Sequence, residues 1–384
     1  MSNPIGRSDL VVVGAGIVGL AHALEAHRRG LSVTVVERDE RAVGASVRNF
    51  GHIGVTAQTG RNLALARTAR TRWIEVARDA GVGVAECGAA VVARSAEEMA
   101  VLEEFAATRR SEVELLSPAR LRHHVPMLGD SDHDSDSGGV VGGAFLPLDL
   151  RVDQRRAVGA LAEWLGGQPG VGFLWETSLT GLEEGRVLTS RGPIDAERTV
   201  VCVGHDVDRL FPAIAREAQV ERCVLHMLRV TVPGADGHRV EPAVLTGTAL
   251  LRYGGFAACP SVPALRARMA AERPDLLAAD VNLMFTQLPG GDLTIGDTHH
   301  HTRTVGPFAD EALDGLLLAE STRLLGGQRL VVRNRWRGTY ATAPDDLLVA
   351  SPMAGTRVVS VTTGIGMTLA FGLAAEVLDD LLVA

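Results

Sequence analysis

Three glycines near the start of the chain have the spacing that binds a pyrophosphate. They lie in the run Gly14-Ala15-Gly16-Ile17-Val18-Gly19, which has the pattern G-x-G-x-x-G. In this pattern the first glycine allows a tight turn, the second lets the backbone approach the phosphates, and the third lets a helix pack close to a strand. Glu37 follows at the distance at which an acidic side chain binds a ribose hydroxyl. The motif predicts a dinucleotide site, and NAD and FAD both use it.

The residues around this run predict a strand, a helix and a second strand. Leu10 to Val13 is a short apolar run, a helix is expected from about Gly16 to Gly30, and Leu31 to Glu37 has the pattern of a strand. Two further strands are expected at Thr199 to Gly204 and at Arg357 to Val361, and the second leads through a glycine turn into a final helix. The cofactor domain is therefore discontinuous.

The length of 384 residues predicts two domains, since a domain typically has about 150 residues. We expect residues 1–87, 146–215 and 333–384 to form the cofactor domain. Residues 88–145 and 216–332 are richer in alternating strand-like runs and are expected to form the substrate domain. The predicted fold class is α/β (α+β with two domains), with a Rossmann-type cofactor domain and an interleaved substrate domain on a mostly antiparallel sheet.

The composition argues against several classes of protein. Apolar residues make up 46%, and no apolar run is long enough to span a bilayer. The net charge is -8 without a dense Lys/Arg stripe, so a nucleic-acid partner is not expected. The four cysteines are scattered, which predicts neither a zinc site nor a disulfide framework. Residues 1–9 lack the features of a secretory signal, and a cytoplasmic location is the expectation.

One segment, Gly129 to Gly139, is rich in Asp and Ser. Its D-x-D-x-D alternation is typical of calcium loops, yet neither register puts Gly at loop position six or Glu at position twelve. We expect a solvated, mobile loop and no metal site.

Several further motifs together resemble one family. The run Thr362 to Leu369 is a second glycine-rich turn that leads into a helix, Gly44 to Gly51 resembles a flavin-contacting loop, and Arg151-Val152-Asp153 and Val201 to Gly204 match two shorter motifs. The chain resembles the flavoprotein amine oxidases of the D-amino-acid oxidase, glycine oxidase and sarcosine oxidase superfamily. Within it, Ser46 to Gly51, Leu293 to Asp297 and Gly366 to Ala374 resemble the branch that oxidises aminophosphonates.

The resemblance implies FAD as the cofactor. In the family, the N-terminus of the final helix points at the flavin, where its free N–H groups and dipole would stabilise the anionic reduced form. The residues expected to bind FAD are Gly14, Gly16, Ile17, Val18, Gly19, Glu37, Arg38, Ala45, Ser46, Arg48, Asn49, Phe50, Gly51, Gly204, Gly364, Gly366, Met367 and Thr368.

Gly338 and Tyr340 depart from the family pattern. Sarcosine oxidases attach flavin through a Cys two residues before the Tyr of a Tyr-Thr-x-Thr-Pro-Asp run, and the similar run here begins at Tyr340, so Gly338 stands at the Cys position. The resemblance therefore implies FAD without a covalent bond there. The same alignment places Tyr340 where glycine-type oxidases carry a carboxylate-binding Arg. This puts a glycine-like site in doubt and makes Tyr340 a candidate pocket residue.

If the substrate carries a phosphonate, arginine side chains are best suited to bind its two negative charges. The candidates are Arg48, Arg335 and Arg337. Arg48 either serves the active site or contacts FAD or caps a turn. Arg335 and Arg337 flank Trp336 on an expected strand, so both lie on one face, which is either the pocket or the solvent side.

Two histidines complete the candidates. His52 directly follows the flavin-contacting loop, and we favour a role in the site over a role in packing. His299 is followed by His300 and His301, and three adjacent side chains cannot all face one site. Metal ligation by them lacks supporting carboxylates or cysteines.

The resemblance implies that the chain oxidises a small primary or secondary amine, by hydride transfer to flavin N5, imine hydrolysis and reoxidation by O2. The substrate of the branch would be an aminophosphonate such as 2-aminoethylphosphonate or an N-methyl or hydroxy relative. Two alternatives stay open. One is an FAD-dependent hydroxylase that uses NAD(P)H, because Gly296-Asp297 resembles a hydroxylase motif. The other is a flavin-binding subunit without its own turnover. The sequence does not predict an oligomeric state.

Overall fold

The computed structural model describes residues 3–129, 139–235 and 237–383. The Asp- and Ser-rich run that was expected to be a mobile loop falls at residues 130–138, outside this description. The described helices are α1 Ile17–Arg28, α2 Gly60–Ala80, α3 Ala96–Thr108, α4 Pro118–His124, α5 Gln154–Gly166, α6 Val207–Leu210, α7 Pro212–Glu217, α8 Gly247–Leu250, α9 Gly254–Ala257, α10 Val262–Glu272, α11 Pro274–Ala278, α12 Glu311–Leu324 and α13 Gly366–Val383. Two 3-10 turns lie at Ala45–Val47 and Gly204–Asp206.

The strands are β1 Gly6–Val13, β2 Val33–Val36, β3 His52–Ile53, β4 Val84–Ala85, β5 Ala89–Ala93, β6 Glu114–Leu116, β7 Gly142–Leu146, β8 Leu150–Val152, β9 Val171–Leu174, β10 Leu179–Glu183, β11 Arg186–Thr189, β12 Gly192–Val201, β13 Glu221–Thr231, β14 Ala243–Leu245, β15 Met284–Gln287, β16 Leu293–Gly296, β17 His300–Thr302, β18 Val331–Ala350 and β19 Thr356–Thr363. All belong to one large sheet except β3, β8 and β4, which form a small antiparallel sheet.

One part of the large sheet is parallel and has the strand order β9-β2-β1-β12-β19. Its central strand is buried on both faces, since Leu10, Val11 and Val12 are fully buried. This is the pattern of a parallel strand that is covered by helices on both sides. The carboxyl ends of these strands share one edge, which is where α/β proteins bind nucleotides.

The rest of the large sheet is mostly antiparallel and follows the order β18-β13-β16-β15-β14-β5-β7-β6. The long strand β18 joins the two parts. Its first half pairs with β13 and its last residues pair with β19, so the middle of β18, at Gly338 and Tyr340, lies where the parallel and antiparallel parts meet.

The C-terminal helix α13 is fixed against α2. Trp73 packs edge-on against Phe371 with ring centroids 5.0 Å apart, and its Nε1 donates to the carbonyl of Met367 at 2.8 Å. At Gly372 an added Cβ would lie 2.3 Å from the carbonyl oxygen of Leu65, so the two helices approach at backbone contact. These contacts hold the N-terminus of α13 beside the α1 glycine turn.

The fold is mixed α/β, with a Rossmann-type parallel part and a mostly antiparallel part of the sheet, and the expected fold class is confirmed. The division into residues 1–87, 146–215 and 333–384 against 88–145 and 216–332 stays a prediction. In the part of the chain that the structure describes, no helix is both long and apolar enough to cross a membrane.

Candidate active site

A cavity of about 370 Å³ opens at the carboxyl edge of the parallel strands. It is lined by the ends of β1 and β2, the start of α1, both 3-10 turns, the middle of β18 and the loop before α13. The cavity therefore extends from the glycine run near the N-terminus to the junction of the two parts of the sheet.

Much of the cavity wall is backbone. Seven glycines line it, namely Gly14, Gly16, Gly44, Gly204, Gly338, Gly364 and Gly366. Gly14 has a φ of +103°, and a Cβ there would lie 2.3 Å from the carbonyl oxygen of Cys202. Gly364 has a φ of +77°, and a Cβ there would meet the ring of Tyr340 at 2.9 Å. A side chain at either position would clash with its neighbours or strain the turn. Because glycine has no side chain, the cavity stays open to a long, flat ligand.

The start of α1 carries the features of a phosphate site. Gly16 is the N-cap of the helix and, because it has no side chain, it leaves the N-terminus open to a ligand. The N–H of Ile17 donates to Ser46 Oγ at 2.9 Å, and the N–H of Ala15 donates to Glu37 Oε2 at 2.8 Å. The N-terminus of a twelve-residue helix carries a partial positive charge that favours an anion.

These observations fit FAD. The pyrophosphate would be held by the N–H groups of Gly16 and Val18 at the start of α1, and the ribose by the Glu37 carboxylate after β2. The ring system would lie against the wall that includes Gly338, Gly364 and Met367. Gly338 has no side chain and can form no covalent link to the cofactor.

Fourteen of the residues expected to bind FAD line this cavity: Gly14, Gly16, Ile17, Val18, Glu37, Arg38, Ala45, Ser46, Arg48, Asn49, Gly204, Gly364, Gly366 and Met367. Asn49 also shapes the loop, since its amide donates to the carbonyls of Ala45 and Ser46 and its oxygen accepts from Gly51 N–H at 2.7 Å. Arg38 pairs with Asp206 across the cavity's outer end.

The other four residues expected to bind FAD do not line the cavity and lie behind its wall. Gly19 sits where a Cβ would be 1.9 Å from the carbonyl oxygen of Gly14, so its part is to let α1 pack on the turn. The Phe50 carbonyl accepts from Thr286 Oγ1 at 2.8 Å. Gly51 has a φ of +73° and packs against Val152. Thr368 Oγ1 accepts from the N–H of Gly54 at 3.1 Å.

Two of the six predicted substrate-side residues reach the cavity, Tyr340 and Arg48. Tyr340 is buried, and burial raises the pKa of its phenol well above the usual value. It therefore stays protonated at neutral pH. Arg48 is exposed and donates to the carbonyl of Arg337 at 3.3 Å.

His52 does not line the cavity. Its Nε2 lies 2.9 Å from Asp149 Oδ2, and the other oxygen of that carboxylate accepts from the N–H groups of Val55 and Thr56 and from the Thr56 hydroxyl. The Asp149 carboxylate therefore holds His52 in a fixed network beside the flavin-contacting loop.

Arg335 and Arg337 also lie away from the cavity. The Arg335 guanidinium pairs with Asp314 at 3.0 Å and Glu311 at 2.8 Å, both on α12. Arg337 donates to three successive backbone carbonyls, those of Gly306, Pro307 and Phe308. On the face of β18 that these arginines share, Arg337 contacts the segment before α12, while Arg335 contacts α12 and stays exposed to solvent.

His299 lies behind Tyr340. Its ring centroid is 6.4 Å from that of Tyr340, and its Nδ1 lies 2.9 Å from the Asp280 carbonyl. Burial, with the nearby positive charge of Arg252, lowers the pKa of His299 to about 3, so the ring is neutral at physiological pH. It contributes no positive charge to the site.

The main residue that sequence reasoning missed is Arg252, which lies between α8 and α9. Its Nη2 donates to Tyr340 Oη at 3.1 Å, and its Nη1 lies 3.3 Å from Asp280 Oδ2. It thus places a positive charge directly behind a residue of the cavity wall. The signal available in the sequence was a single Arg at the end of the mostly apolar run 243–251.

Asp297 and Asn282 were missed as well. Asp297 is fully buried next to Arg252, and burial raises the pKa of its carboxyl to about 7 although Arg252 opposes this rise. Asp297 Oδ1 and Asn282 Oδ1 each lack a hydrogen-bond partner among the described residues. The Gly296-Asp297 pair that resembled a hydroxylase motif thus belongs to a polar cluster behind Tyr340.

Comparison with known proteins agrees with this geometry. A family model described as DAO, FAD dependent oxidoreductase, matches residues 9–380. Among curated proteins, the bifunctional protein ThiO/ThiG of Nostoc sp. (strain PCC 7120) is 28% identical over 242 residues, which is 59% of this chain and 34% of that protein. The chain therefore spans about a third of the length of this relative.

Solved structures show the same fold. Glycine oxidase from Geobacillus kaustophilus is similar with a TM-score of 0.75 at 19% identity, over 98% of this chain and 95% of that one. L-proline dehydrogenase from P. horikoshii is similar with a TM-score of 0.78 at 18% identity, over 98% and 94%. At such identities the likeness concerns the fold alone.

Proposed function

The chain belongs to the DAO family of FAD-dependent oxidoreductases, and on this premise we propose that it oxidises a small amine that also carries an anionic group. The observation that carries the proposal is the hydrogen bond from Arg252 to Tyr340 at 3.1 Å, at the wall of the cofactor cavity. FAD bound there supplies the acceptor for a hydride from the C–H bond next to the amine nitrogen.

The residues of the chain recognise and hold the substrate. Arg252 places a positive charge directly behind Tyr340, and a guanidinium binds a carboxylate or phosphonate through two parallel hydrogen bonds. The Tyr340 hydroxyl, which stays protonated, donates a further hydrogen bond to the same anion. The apolar neighbours Leu225 and Met367 line the cavity and help to exclude water.

An aminophosphonate such as 2-aminoethylphosphonate, or an N-methyl or hydroxy relative, is the proposed substrate. The sequence resemblance to the aminophosphonate branch supports it, and so does an arginine that can bind a dianion. After the C–H bond breaks, the imine is hydrolysed to a carbonyl compound, and O2 is the proposed electron acceptor. The fold that the chain shares with glycine oxidase supports the amine as the group that reacts.

Anaerobic mixing tests the proposal. The purified flavoprotein is mixed with 2-aminoethylphosphonate, its N-methyl and 1-hydroxy relatives, glycine and sarcosine, and the flavin absorbance is followed. We expect at least one of these amines to bleach the flavin, and the phosphonates to do so at the lowest concentration. No bleaching by any amine, together with rapid bleaching by NADH or NADPH, would replace the proposal with the hydroxylase function.

A further inference from the structure

The Asp206 carboxylate lies between two guanidinium groups that come from different parts of the large sheet. Arg38, which follows β2, donates to Asp206 Oδ2, and Arg222 on β13 donates to Asp206 Oδ1 at 3.0 Å. β2 belongs to the parallel part of the sheet, and β13 belongs to the mostly antiparallel part. One carboxylate therefore connects the two parts at the outer end of the cavity.

This outer end is the part of the cavity that suits the adenosine half of FAD. The ring system fits the junction end, where Gly338 and Gly364 form the wall, and the ribose fits the Glu37 carboxylate. Arg38 directly follows Glu37 in the chain, and both Arg38 and Asp206 line the cavity. The adenosine half is therefore the part of the cofactor that reaches this ion pair.

The two partners of the ion pair differ in burial. Asp206 is 6% exposed, whereas the Arg38 side chain is 57% exposed and its Nε lies 3.5 Å from the exposed Asp39. Burial raises the pKa of the Asp206 carboxyl, but the neighbouring His205, Arg38 and Arg222 outweigh this effect, and the pKa lies below its usual value. The ionised carboxylate thus restrains a long side chain that would otherwise sample many rotamers.

Arg222 fixes Asp206 from the other side. Its side chain is 5% exposed, and it also donates to both oxygens of Asp208 at 2.7 Å. A buried guanidinium that is held by two carboxylates has little freedom to move. The position of Asp206 is therefore set by β13 as well as by its own 3-10 turn, Gly204–Asp206.

We propose that Asp206 is a positioning residue for FAD, which holds the Arg38 guanidinium against the adenosine half of the cofactor while Arg222 fixes Asp206 from β13. Arg38 is suited to this contact, because a planar guanidinium stacks on aromatic rings and donates hydrogen bonds in its plane. The inference goes beyond the proposed function and holds whichever amine is oxidised. It gives the antiparallel part of the sheet a role in retaining the cofactor.

Fragments of the cofactor test the inference without turnover. ADP carries the adenosine half and FMN carries the ring system. Each is titrated, like FAD itself, into the full-length chain from which FAD has been removed. Calorimetry gives the dissociation constant for ADP, and flavin fluorescence gives those for FMN and FAD. We expect Asp206→Asn to weaken ADP and FAD about 10-fold, as for a lost charge-assisted contact, and FMN by less than about 2-fold.

A second substitution shows whether Asp206 acts through Arg38. Arg38→Met removes the contact itself and should weaken ADP by a similar factor. The double variant should lose no more than either single variant, because both changes remove one shared interaction. Asp208→Asn is the matched control, since Asp208 also pairs with Arg222 but is not a residue of the cavity wall. It should retain all three affinities within about 2-fold.

An unchanged ADP affinity in Asp206→Asn would overturn the inference. An equal loss for ADP and FMN would also overturn it, because Asp206 would then support the cavity as a whole. So would losses that multiply in the double variant, since Asp206 would then act independently of Arg38. If Asp206→Asn does not fold, Asp206→Glu keeps the charge and moves the carboxylate by one methylene. That variant should weaken ADP about 3-fold and leave FMN unchanged, and an unchanged ADP affinity there would equally contradict the inference.

Discussion

The two ends of the cavity are built in different ways. At the cofactor end the wall includes glycines, such as Gly14 and Gly16, that lie at the start of one helix. At the substrate end the Tyr340 side chain lines the wall and Arg252 contacts it from behind, although the two residues are 88 positions apart in the chain. A backbone wall can serve any member of the family, since it binds the common cofactor. We expect members of the family to differ mainly in the side-chain part of the wall.

Substitution of Gly19 should produce the largest effect, because it disturbs the cofactor end of the cavity and so the binding of FAD. In Gly19→Ala the Cβ would lie 1.9 Å from the Gly14 carbonyl oxygen, which is backbone and cannot move aside. Overpacking of this kind costs about 1–3 kcal/mol and shifts α1 away from the pyrophosphate position. We expect the purified variant to lose nearly all of its FAD, as measured by the ratio of flavin to protein absorbance.

Gly159→Ala is the control for that experiment. Gly159 lies on an exposed side of α5 with nothing within 4 Å of an added Cβ. Alanine there should retain full FAD and gain up to about 1 kcal/mol of stability from helix propensity. A Gly19→Ala protein with a normal flavin content would show that the glycine wall tolerates a side chain. This result would contradict the difference proposed between the cofactor end and the substrate end.

Substitution of Arg252 should leave FAD binding at the cofactor end unchanged and weaken the binding of the substrate. Arg252→Met removes the guanidinium that donates to Tyr340 but keeps an unbranched side chain. For an anionic amine we expect kcat/KM to fall about 30-fold or more, since loss of a buried charge partner costs about 2 kcal/mol or more. The flavin content and the kcat/KM for an uncharged analogue such as an alkylamine should change little.

Arg268→Met is the matched control, because Arg268 makes its ion pairs with Glu97 and Glu272. It should leave both substrates unaffected. An equal loss for anionic and neutral amines in Arg252→Met would mean that Arg252 supports the fold of the wall and does not bind the anion.

The difference between the cofactor end and the substrate end also explains which parts of the site could be predicted from the sequence. The glycine run and Glu37 were found because the turn, the helix start and the end of β2 are close in sequence, and their backbone conformations follow from residue type. Gly338 and Tyr340 were found through a motif on a single strand. These local features are enough to predict the fold class and the cofactor.

The substrate end could not be predicted in the same way, because side chains choose partners that lie far away in sequence. His52 is held by Asp149, Arg335 by α12, and Arg337 by the carbonyls of residues 306–308. Nothing near these residues in the sequence shows that such partners exist. Arg252 contacts Tyr340 across 88 residues of chain, and Asp297 comes near Tyr340 because β13 pairs with both β16 and β18.

The smallest effect on the cavity is expected at Glu98, a second buried acid that lies away from it. Burial raises the pKa of Glu98 to about 7, as it does for Asp297, but Glu98 Oε2 accepts from the N–H of Arg94 at 2.6 Å. Between its ordinary value of 4.5 and about 7, the folded chain holds a proton on Glu98 that the unfolded chain has released. Its contribution to stability is therefore full below this range and is lost as the pH rises through it, by about 3 kcal/mol at most.

Glu98→Gln keeps a carbonyl oxygen for the Arg94 N–H and removes the titration. We expect the free energy of unfolding, measured by urea denaturation at a series of pH values, to fall less steeply than in the wild type between pH 4.5 and about 7. The flavin content should be unchanged, because Glu98 is a partner of the α3 N-terminus and does not line the cavity. Parallel stability curves for the two proteins would contradict the assignment. A loss of flavin would show that Glu98 also supports the cofactor cavity.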